Sequence, residues 1–448
     1  MIKKIIQFYK PSIPKQKLIN LDEISKKYNI YRWSTFISVT LGYGLYYVCR
    51  LSLDVIKKPI VDAGVLTESE LGMVGSALFF AYAVGKLTNG FLADRSNIRH
   101  FMATGLFLSA LINLALGFLT SFTVLTLLWG ISGWFQSMGA PPSVISISRW
   151  FSNRERGTYY GIWSASHGIG KAITFIGVAL IVSIFGWQWG FWGAGLIGLA
   201  GAIMISLFLH ESPEIEGLPS IADYKNEHSE ISVVGKSLNS LQIEVLKNKY
   251  IWILAIASAL MYVSRYGIES WGIFYLEAQK GYSTLEASSI VSVSAISGIF
   301  GTVISGVISD RYFKGSRNVP VLIAGILNVT AISLFLFYPN NHIWMDTVSM
   351  LLFGFAIGIL ITFVGGLMAV DIASKKATGA ALGLIGVASY IGAGVQDIVS
   401  GILIQNNHHV SLKGIESYDF STVKFFWLGA AILSVILVLF AWNAKTED

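Results

Sequence analysis

The chain has 448 residues, of which 54% are hydrophobic and only 13% are charged, and its mean hydropathy is +0.62. Soluble proteins contain about 25% charged residues, so this composition excludes an ordinary water-soluble protein. The net charge of +6 comes mostly from short loops between apolar runs, and we read no nucleic-acid role into it.

The first 31 residues are polar and lysine-rich and contain two prolines, and we expect this arm to be amphipathic or disordered at the membrane surface. It has no apolar core of signal-peptide length, so no cleaved targeting segment is expected. Twelve apolar segments follow, each long enough to cross ~30 Å of hydrocarbon. We predict spans at residues 33–57, 71–93, 101–120, 122–148, 157–186, 188–209, 251–277, 284–309, 319–338, 344–370, 378–404 and 422–443.

A polar stretch separates the sixth span from the seventh and divides the spans into two sets of six. We therefore predict an all-α polytopic membrane protein with 12 transmembrane helices in two six-helix bundles. The predicted parts are an N-terminal arm at 1–31, an N-terminal bundle at 32–210, a linker at 211–249, a C-terminal bundle at 250–443 and a tail at 444–448.

Lysine and arginine are concentrated in the arm, the tail and the loops after the even-numbered spans. Loops rich in these residues stay on the cytoplasmic side of a membrane. Both termini and the linker are therefore predicted to be cytoplasmic. The opposite side carries few basic residues, namely Lys57, Lys58, Lys280, Lys413 and Lys424.

The two halves of the chain repeat one another. Arg50 and Asp54 in the first span recur as Arg265 and Glu269 in the seventh, 215 positions later in each case. The sequence GFLADRSNIR after the second span recurs as GVISDRYFKGSR after the eighth. Two repeats of six spans, related by an axis along the membrane normal, are typical of transporters whose site lies between the repeats near the midplane.

Arg50 and Arg265 interrupt long apolar segments. An arginine inside a bilayer costs about 2.5–3.5 kcal/mol on insertion scales, so a retained one usually faces a cavity. Arg265 is central in its span, whereas Arg50 is close enough to Lys57 that reaching toward the membrane surface is an alternative for it. Two such arginines at matching places in the two halves predict a cationic site between the halves.

Other ionisable residues within the spans leave alternatives open. Asp54 and Glu269 either pair with the arginines one turn earlier, face other helices, or carry a coupled proton. His167 and Lys171 share one helical face. The histidine either binds or releases a proton together with the bound anion, or is a hydrogen-bonded packing residue. The lysine either contacts substrate or forms an interhelical ion pair, for which Asp397 is a candidate partner.

The paired loop motifs, GxLxDRxxxR and GxxxDRxxxGxR, resemble the major facilitator superfamily. The sequences YYVCR in span 1, GWFQSMGAPP in span 4, RERG and SHGIG in span 5 and YVSRYG in span 7 are similar to the organophosphate:phosphate antiporters of that superfamily. These carriers transport glycerol 3-phosphate and hexose 6-phosphates. The resemblance covers essentially all of residues 33–443.

The resemblance implies that Arg50 and Arg265 clamp the phosphoryl group, one from each half. It also implies that further side chains join or line the cavity, namely His167, Tyr43, Tyr47, Tyr262, Tyr390 and Lys86. The alternative for Lys86 is an ion pair between helices. Three positions depart from the family pattern: Leu51 replaces a lysine, Ser164 replaces an asparagine, and span 11 carries Asp397 without a basic partner.

The paired loops are predicted to belong to a cytoplasmic gate, whose role is conformational. Its candidate residues are Gly90, Asp94, Arg95, Arg99, Gly306, Asp310 and Arg311. A carboxylate there can accept backbone N–H groups or meet a basic residue when that side closes.

We therefore expect an antiporter that exchanges an organophosphate for inorganic phosphate by alternating access, in the inner membrane of a bacterium and as a monomer. Leu51 departs from the glycerol-phosphate branch, so a hexose 6-phosphate such as glucose 6-phosphate is favoured over glycerol 3-phosphate. A membrane sensor of sugar phosphate and proton-coupled transport of an unrelated anion are the alternatives. The single Cys49 excludes a disulfide, and no motif indicates an enzyme, a cofactor or a bound metal.

Overall fold

A computed structural model describes residues 7–225, 238–313, 316–339, 342–373, 377–410, 416–442 and 444. The N-terminal half contains α1 (Leu21–Asp62), α2 (Glu68–Asp94), α3 (Ile98–Leu116), α4 (Phe122–Gln136), α5 (Ala140–Trp150), α6 (Asn153–Phe185) and α7 (Gln188–Phe208). Two short helices, α8 (Ile221–Lys225) and α9 (Leu238–Lys247), lie in the linker. The C-terminal half contains α10 (Lys249–Lys280), α11 (Thr284–Tyr312), α12 (Asn318–Phe337), α13 (Ile343–Thr362), α14 (Met368–Ile372), α15 (Thr378–Asn406) and α16 (Ser421–Phe440).

Among the described residues, 11 helical segments are long and apolar enough to span a membrane. The fourth predicted span is the exception, because it is broken into α4 and α5 by residues 137–139. Pro141 and Pro142 stand in the first turn of α5, where proline is tolerated, whereas inside a continuous helix it would remove a hydrogen bond and clash with the preceding turn. The tenth span is continuous, with a π-helical turn at Phe363–Leu367 joining α13 to α14.

The repeat seen in the sequence extends to the helix ends. Thr67 and Glu70 form a capping box at the start of α2, and Ser283 and Glu286 form the same arrangement at the start of α11. In each, a hydroxyl and a carboxylate satisfy backbone N–H groups that would otherwise lack a partner. The second span of each half therefore begins in the same way.

In the described part of the chain, three helix pairs make most of the contacts between the two halves. α1 packs on α10, α2 on α15, and α6 on α11. Small residues allow close approach at these contacts, since a side chain at Gly72 on α2 would meet the backbone of Asp397 on α15. We call the side at which α1 begins the N-terminal face, and the side at which it ends the opposite face.

The N-terminal arm differs from the expectation of an amphipathic or disordered surface segment. Its described residues pack along the beginning of the linker: the Ser12 amide donates to Glu211 Oε2 at 3.1 Å, and the Leu18 amide donates to the Gly217 carbonyl at 2.9 Å. Partial burial opposes ionisation of Glu216, but hydrogen bonds from Lys15 and His210 outweigh it and lower the pKa of this carboxyl. The arm thus fastens the linker to the N-terminal half.

A small hairpin is the one strand structure among the described residues, and the all-α prediction did not include it. Strands β1 (His408–Val410) and β2 (Glu416–Tyr418) pair antiparallel between α15 and α16. The Tyr418 hydroxyl donates to Glu68 Oε1 at 2.9 Å. Because Glu68 begins α2, the hairpin of the C-terminal half contacts the N-terminal half at the opposite face.

Candidate functional site

Arg50 lies on α1 at the interface between the halves and is only 5% exposed, so it does not reach toward the membrane surface. Its guanidinium carbon lies 4.3 Å from the ring centre of Tyr82, 5.3 Å from that of Tyr390, 5.6 Å from that of Tyr47 and 5.9 Å from that of Phe79. Its Nε and Nη2 atoms are buried and have no hydrogen-bond partner among the described residues. Buried donors of this kind suit an anionic acceptor, because leaving them unsatisfied is costly.

Arg265 lies on α10 and is 6% exposed. Its Nε donates to Glu269 Oε1 at 3.1 Å, and Lys171 Nζ from α6 donates to the same oxygen at 2.8 Å. Glu269 therefore pairs with its own arginine and also bridges the two halves. The alternative in which Lys171 pairs with Asp397 is wrong, because Lys171 pairs with Glu269.

The two arginines face one aromatic cluster. The guanidinium carbon of Arg265 lies 5.3 Å from the ring centre of Tyr262, and the Tyr262 and Tyr390 rings are 5.6 Å apart. Tyr390 in turn contacts Arg50. Both guanidinium groups thus border the same group of rings, and we call Arg50, Arg265, Lys171 and Glu269 the arginine site.

A cavity of about 800 Å³ lies between the first half of α6 and the last half of α11, near the N-terminal face. His167 lines it, and its Nδ1 contacts the carbonyl oxygen of Ser164. The His167 ring lies 5.5 Å from that of Tyr47, which packs edge-on to Tyr43 at 5.6 Å. His167 and Tyr47 therefore connect the cavity to the arginine site.

Lys86 reaches across the interface from α2 to α15. Its Nζ lies 5.3 Å from the Tyr390 ring centre, and a side chain at Gly386 would approach it to 2.7 Å. Lys86 is exposed, and its charge lies at the edge of the aromatic cluster.

Five side chains from α1, α10 and α15 form a second interface group near the opposite face, which we call the opposite-face cluster. Lys57 Nζ lies 2.6 Å from Ser270 Oγ, 3.2 Å from Asp397 Oδ1 and 3.5 Å from Asp54 Oδ1. Trp271 Nε1 donates to Asp397 Oδ1 at 2.5 Å, and its ring centre lies 4.1 Å from Lys57 Nζ. The cluster ties the two halves together on this side.

The cluster shows where Lys57 lies and excludes one of the alternatives for Asp54. Lys57, counted from the sequence among the basic residues of the opposite side, lies within α1 near that face and is 0% exposed inside the cluster. Asp54 faces Ser270 and Lys57 rather than pairing with Arg50. The contact between Asp54 and Lys57 could have been predicted from the sequence, since the two residues are three positions apart on one helical face.

Gly75 on α2 gives Asp397 the room that it needs. A β-carbon at this glycine would lie 1.8 Å from Asp397 Oδ2, far inside van der Waals contact. The Gly75→Ala variant is therefore expected to displace the carboxylate from Lys57 and lower the free energy of unfolding by about 3 kcal/mol, as breaking a buried ion pair does. Thermal unfolding in detergent checks this.

The matched control is Gly177→Ala, at a glycine whose added β-carbon would have nothing within 4 Å. This variant is expected to unfold like the wild-type protein. Equal melting temperatures for the Gly75→Ala and Gly177→Ala variants would show that the close fit between Gly75 and Asp397 does not contribute to stability.

The predicted gate residues lie at the N-terminal face, apart from the arginine site. Gly90 and Asp94 are near the end of α2, Arg95 follows it, and Arg99 is in the first turn of α3. Gly306 and Arg311 lie on α11, and the side chain of Asp310 is outside the described residues. Asp94, Arg95 and Arg311 are exposed, and their gating role stays a prediction.

Several residues around the arginine site were missed from the sequence: Phe79, Tyr82 and Tyr266. The Arg265 guanidinium carbon lies 5.0 Å from the ring centre of Tyr266, and the Phe79 and Tyr266 rings are 4.6 Å apart. Aromatic residues are frequent throughout the spans, so only the helix packing shows which rings meet the arginines.

Comparison with known proteins gives consistent matches. A model of the Major Facilitator Superfamily matches residues 33–396. The chain is 29% identical over 457 residues to a probable hexose phosphate transport protein of Chlamydia pneumoniae, covering 99% of this chain and 98% of that protein. It is 31% identical over 457 residues to a glycerol-3-phosphate transporter of Bacillus subtilis, covering 98% of each.

The membrane sensor protein UhpC of Escherichia coli is 32% identical over 378 residues, covering 83% of this chain and 85% of the sensor. Among solved structures, the nucleoside transporter NupG aligns with a TM-score of 0.71 at 16% identity, covering 92% of this chain and 100% of that one. The structural match shows the shared two-bundle transporter fold.

Proposed function

Because the chain belongs to the Major Facilitator Superfamily, and within it to the organophosphate:phosphate antiporter family, we propose that it exchanges a hexose 6-phosphate, such as glucose 6-phosphate, for inorganic phosphate. The observation that carries this proposal is the pair of buried arginines contributed by the two halves to one aromatic cluster. It is a membrane transporter, not an enzyme.

Charge balance supports a dianionic substrate. Arg50, Arg265 and Lys171 are cations, and Glu269 is the one carboxylate of the arginine site, which leaves two positive charges. A phosphate monoester carries about −1.5 to −2 near neutral pH. A bound dianion therefore nearly cancels the charge of the site.

This balance explains why exchange is favoured over one-way transport. Reorienting the empty site moves an uncompensated positive charge through a low-dielectric interface, which is expensive. When the anion is bound, the site is nearly neutral and its reorientation costs less. The carrier therefore returns readily only with an anion, and inorganic phosphate serves on the return.

The geometry supports access from the N-terminal face in this conformation. The cavity beside His167 lies toward that face, while the opposite-face cluster and the hairpin contact of Tyr418 join the halves on the other side. Alternating access then consists of breaking these contacts and closing the N-terminal face. We place the termini in the cytoplasm, on the positive-inside rule, and the monomeric protein in a bacterial inner membrane.

The choice of organophosphate rests on the relatives, since Leu51 is a buried apolar side chain, 3% exposed, that offers no polar group to distinguish one organophosphate from another. The hexose phosphate and glycerol-3-phosphate relatives cover the chain almost equally. We retain the hexose phosphate, because three of the matched relatives are named as probable hexose phosphate transport proteins, and the cavity of about 800 Å³ has room for a six-carbon sugar.

The test is counterflow in proteoliposomes. Vesicles loaded with inorganic phosphate are expected to take up labelled glucose 6-phosphate, and unlabelled internal phosphate should be required. A panel containing glycerol 3-phosphate and 3-phosphoglycerate ranks the substrates. Binding of sugar phosphate without any flux would instead identify a sensor like the relative of that name, and uptake driven by a pH gradient without internal phosphate would refute exchange.

A further inference from the structure

The hydrogen bonds of the opposite-face cluster require one more hydrogen than its ionised side chains supply. Ser270 Oγ lies 2.8 Å from Asp54 Oδ1 and 3.0 Å from Asp397 Oδ1. Its single hydroxyl hydrogen can serve only one of these two oxygens. The other contact needs a hydrogen on the carboxyl group itself, donated to a lone pair of the serine oxygen.

The charges of the cluster also indicate one bound proton. Two carboxylates, Asp54 and Asp397, face one cation, Lys57, and the three are 8%, 1% and 0% exposed. If both acids were ionised, the cluster would hold one uncompensated negative charge at a nearly dry interface, which costs several kcal/mol. One bound proton removes this charge.

Charged groups on the surrounding helices do not supply the missing compensation. On α10, Glu269 is adjacent but is paired with Lys171 and Arg265. On α2, Gly72 and Gly75 face Asp397, and Glu68, farther along, contacts Tyr418 and His408. On α1, Arg50 lies one turn deeper among aromatic rings, and Lys58 is paired with Asp62. On α15 the neighbouring Gln396 bonds to Ser400.

Asp54 is the better place for the proton. Asp397 Oδ1 already accepts Trp271 Nε1 at 2.5 Å and lies 3.2 Å from Lys57 Nζ, so its negative charge is well stabilised. Asp54 Oδ1 lies 3.5 Å from the same ammonium group. A protonated Asp54 donates to Ser270 Oγ, and the Ser270 hydroxyl then donates to Asp397.

We propose that Asp54 is a proton-binding site, occupied while the opposite-face cluster is assembled and emptied when that face opens. On opening, the Asp54 O–H bond breaks and its proton passes to water at the opposite face; on closing, a proton is taken up again. No redox step is involved. Closure of this face is thereby coupled to proton binding, whichever anion is carried.

The test reads the distance across the opposite face. Spin labels on Thr120→Cys and His342→Cys, two exposed positions on different halves, are introduced with Cys49→Ser, and distances are measured between pH 5 and pH 9 in lipid nanodiscs. In the otherwise wild-type protein, the ratio of closed to open faces should fall by up to about tenfold per pH unit as the proton is lost. The same distance distribution at every pH would overturn the proposal.

Two variants assign the effect to one residue. Asp54→Asn, whose amide donates to Ser270 as the protonated acid does, is expected to keep the face closed with no pH dependence. His408→Gln removes an imidazole from the same interface, beside Glu68, and should retain the wild-type pH dependence. Retained dependence in Asp54→Asn, or its loss in His408→Gln, would overturn the assignment. The readout needs no substrate, so it is independent of whether exchange of hexose phosphate is correct.

Discussion

Replacing either Arg50 or Arg265 with lysine is expected to lower phosphate exchange at least about 100-fold, although the charge is kept. A guanidinium offers a planar fork that pairs bidentately with phosphate and stacks on aromatic rings, whereas an ammonium is a compact point charge. Both arginines are enclosed by tyrosine rings, which fit the flat group. The lysine variants lose both the fork and the stacking.

The size of the effect follows from the bonds that the substitution removes. Hydrogen bonds to charged groups contribute about 1.5–3 kcal/mol each, and each 1.36 kcal/mol corresponds to a tenfold change in rate. Removing one bond of the fork together with the stacking on the rings therefore amounts to about 3 kcal/mol, or about 100-fold. Initial rates of exchange of labelled phosphate in proteoliposomes measure it.

The matched control is Arg154→Lys, at an exposed position of the N-terminal face outside the arginine site. It is expected to retain exchange within about twofold, as surface substitutions usually do. Wild-type exchange in Arg50→Lys or Arg265→Lys, with the protein folded by size-exclusion chromatography, would contradict the clamp.

Replacing Glu269 with glutamine is expected to lower the KM for phosphate about tenfold and to slow turnover. In the structure this carboxylate occupies both Lys171 and Arg265, so it competes with the substrate for the same two cations. An amide competes weakly, so phosphate binds more tightly. Release then becomes slower, because the internal anion that displaces the product is gone.

The KM and turnover number from concentration series of phosphate self-exchange separate these effects. Glu286→Gln serves as the control, since this exposed glutamate belongs to the capping box of α11 and glutamine fills that role equally well. A raised KM in the Glu269→Gln variant would show that the carboxylate helps to hold substrate rather than compete with it.

The two-bundle fold and the buried arginine pair could be predicted from the sequence because both depend on local signals. Span lengths set the helix count, and the repeated spacing placed Arg50 and Arg265 in equivalent helices. The break in the fourth span also had a local cause in Pro141 and Pro142, which the prediction of a continuous span overlooked.

The ion pairs were less predictable, because they depend on tertiary contacts between distant segments. Asp397 meets Lys57 across 340 positions of the chain, and Lys171 meets Glu269 across 98. Each charge had several candidate partners at acceptable depth in the membrane. Only the packing of α1, α6, α10 and α15 selects among them. The contact of the arm with the linker was likewise not predictable, because it also joins distant segments of the chain.

The most direct test of the account is whether one phosphate binds arginines from both halves. Solid-state NMR on the wild-type protein with ¹⁵N-arginine and bound phosphate measures ³¹P–¹⁵N distances. We predict two guanidinium groups within about 4 Å of phosphorus, as charge-assisted N–H···O bonds require, and a single such group in each of the Arg50→Lys and Arg265→Lys variants. A wild-type phosphate near only one arginine, or near none, would contradict a clamp formed between the two halves.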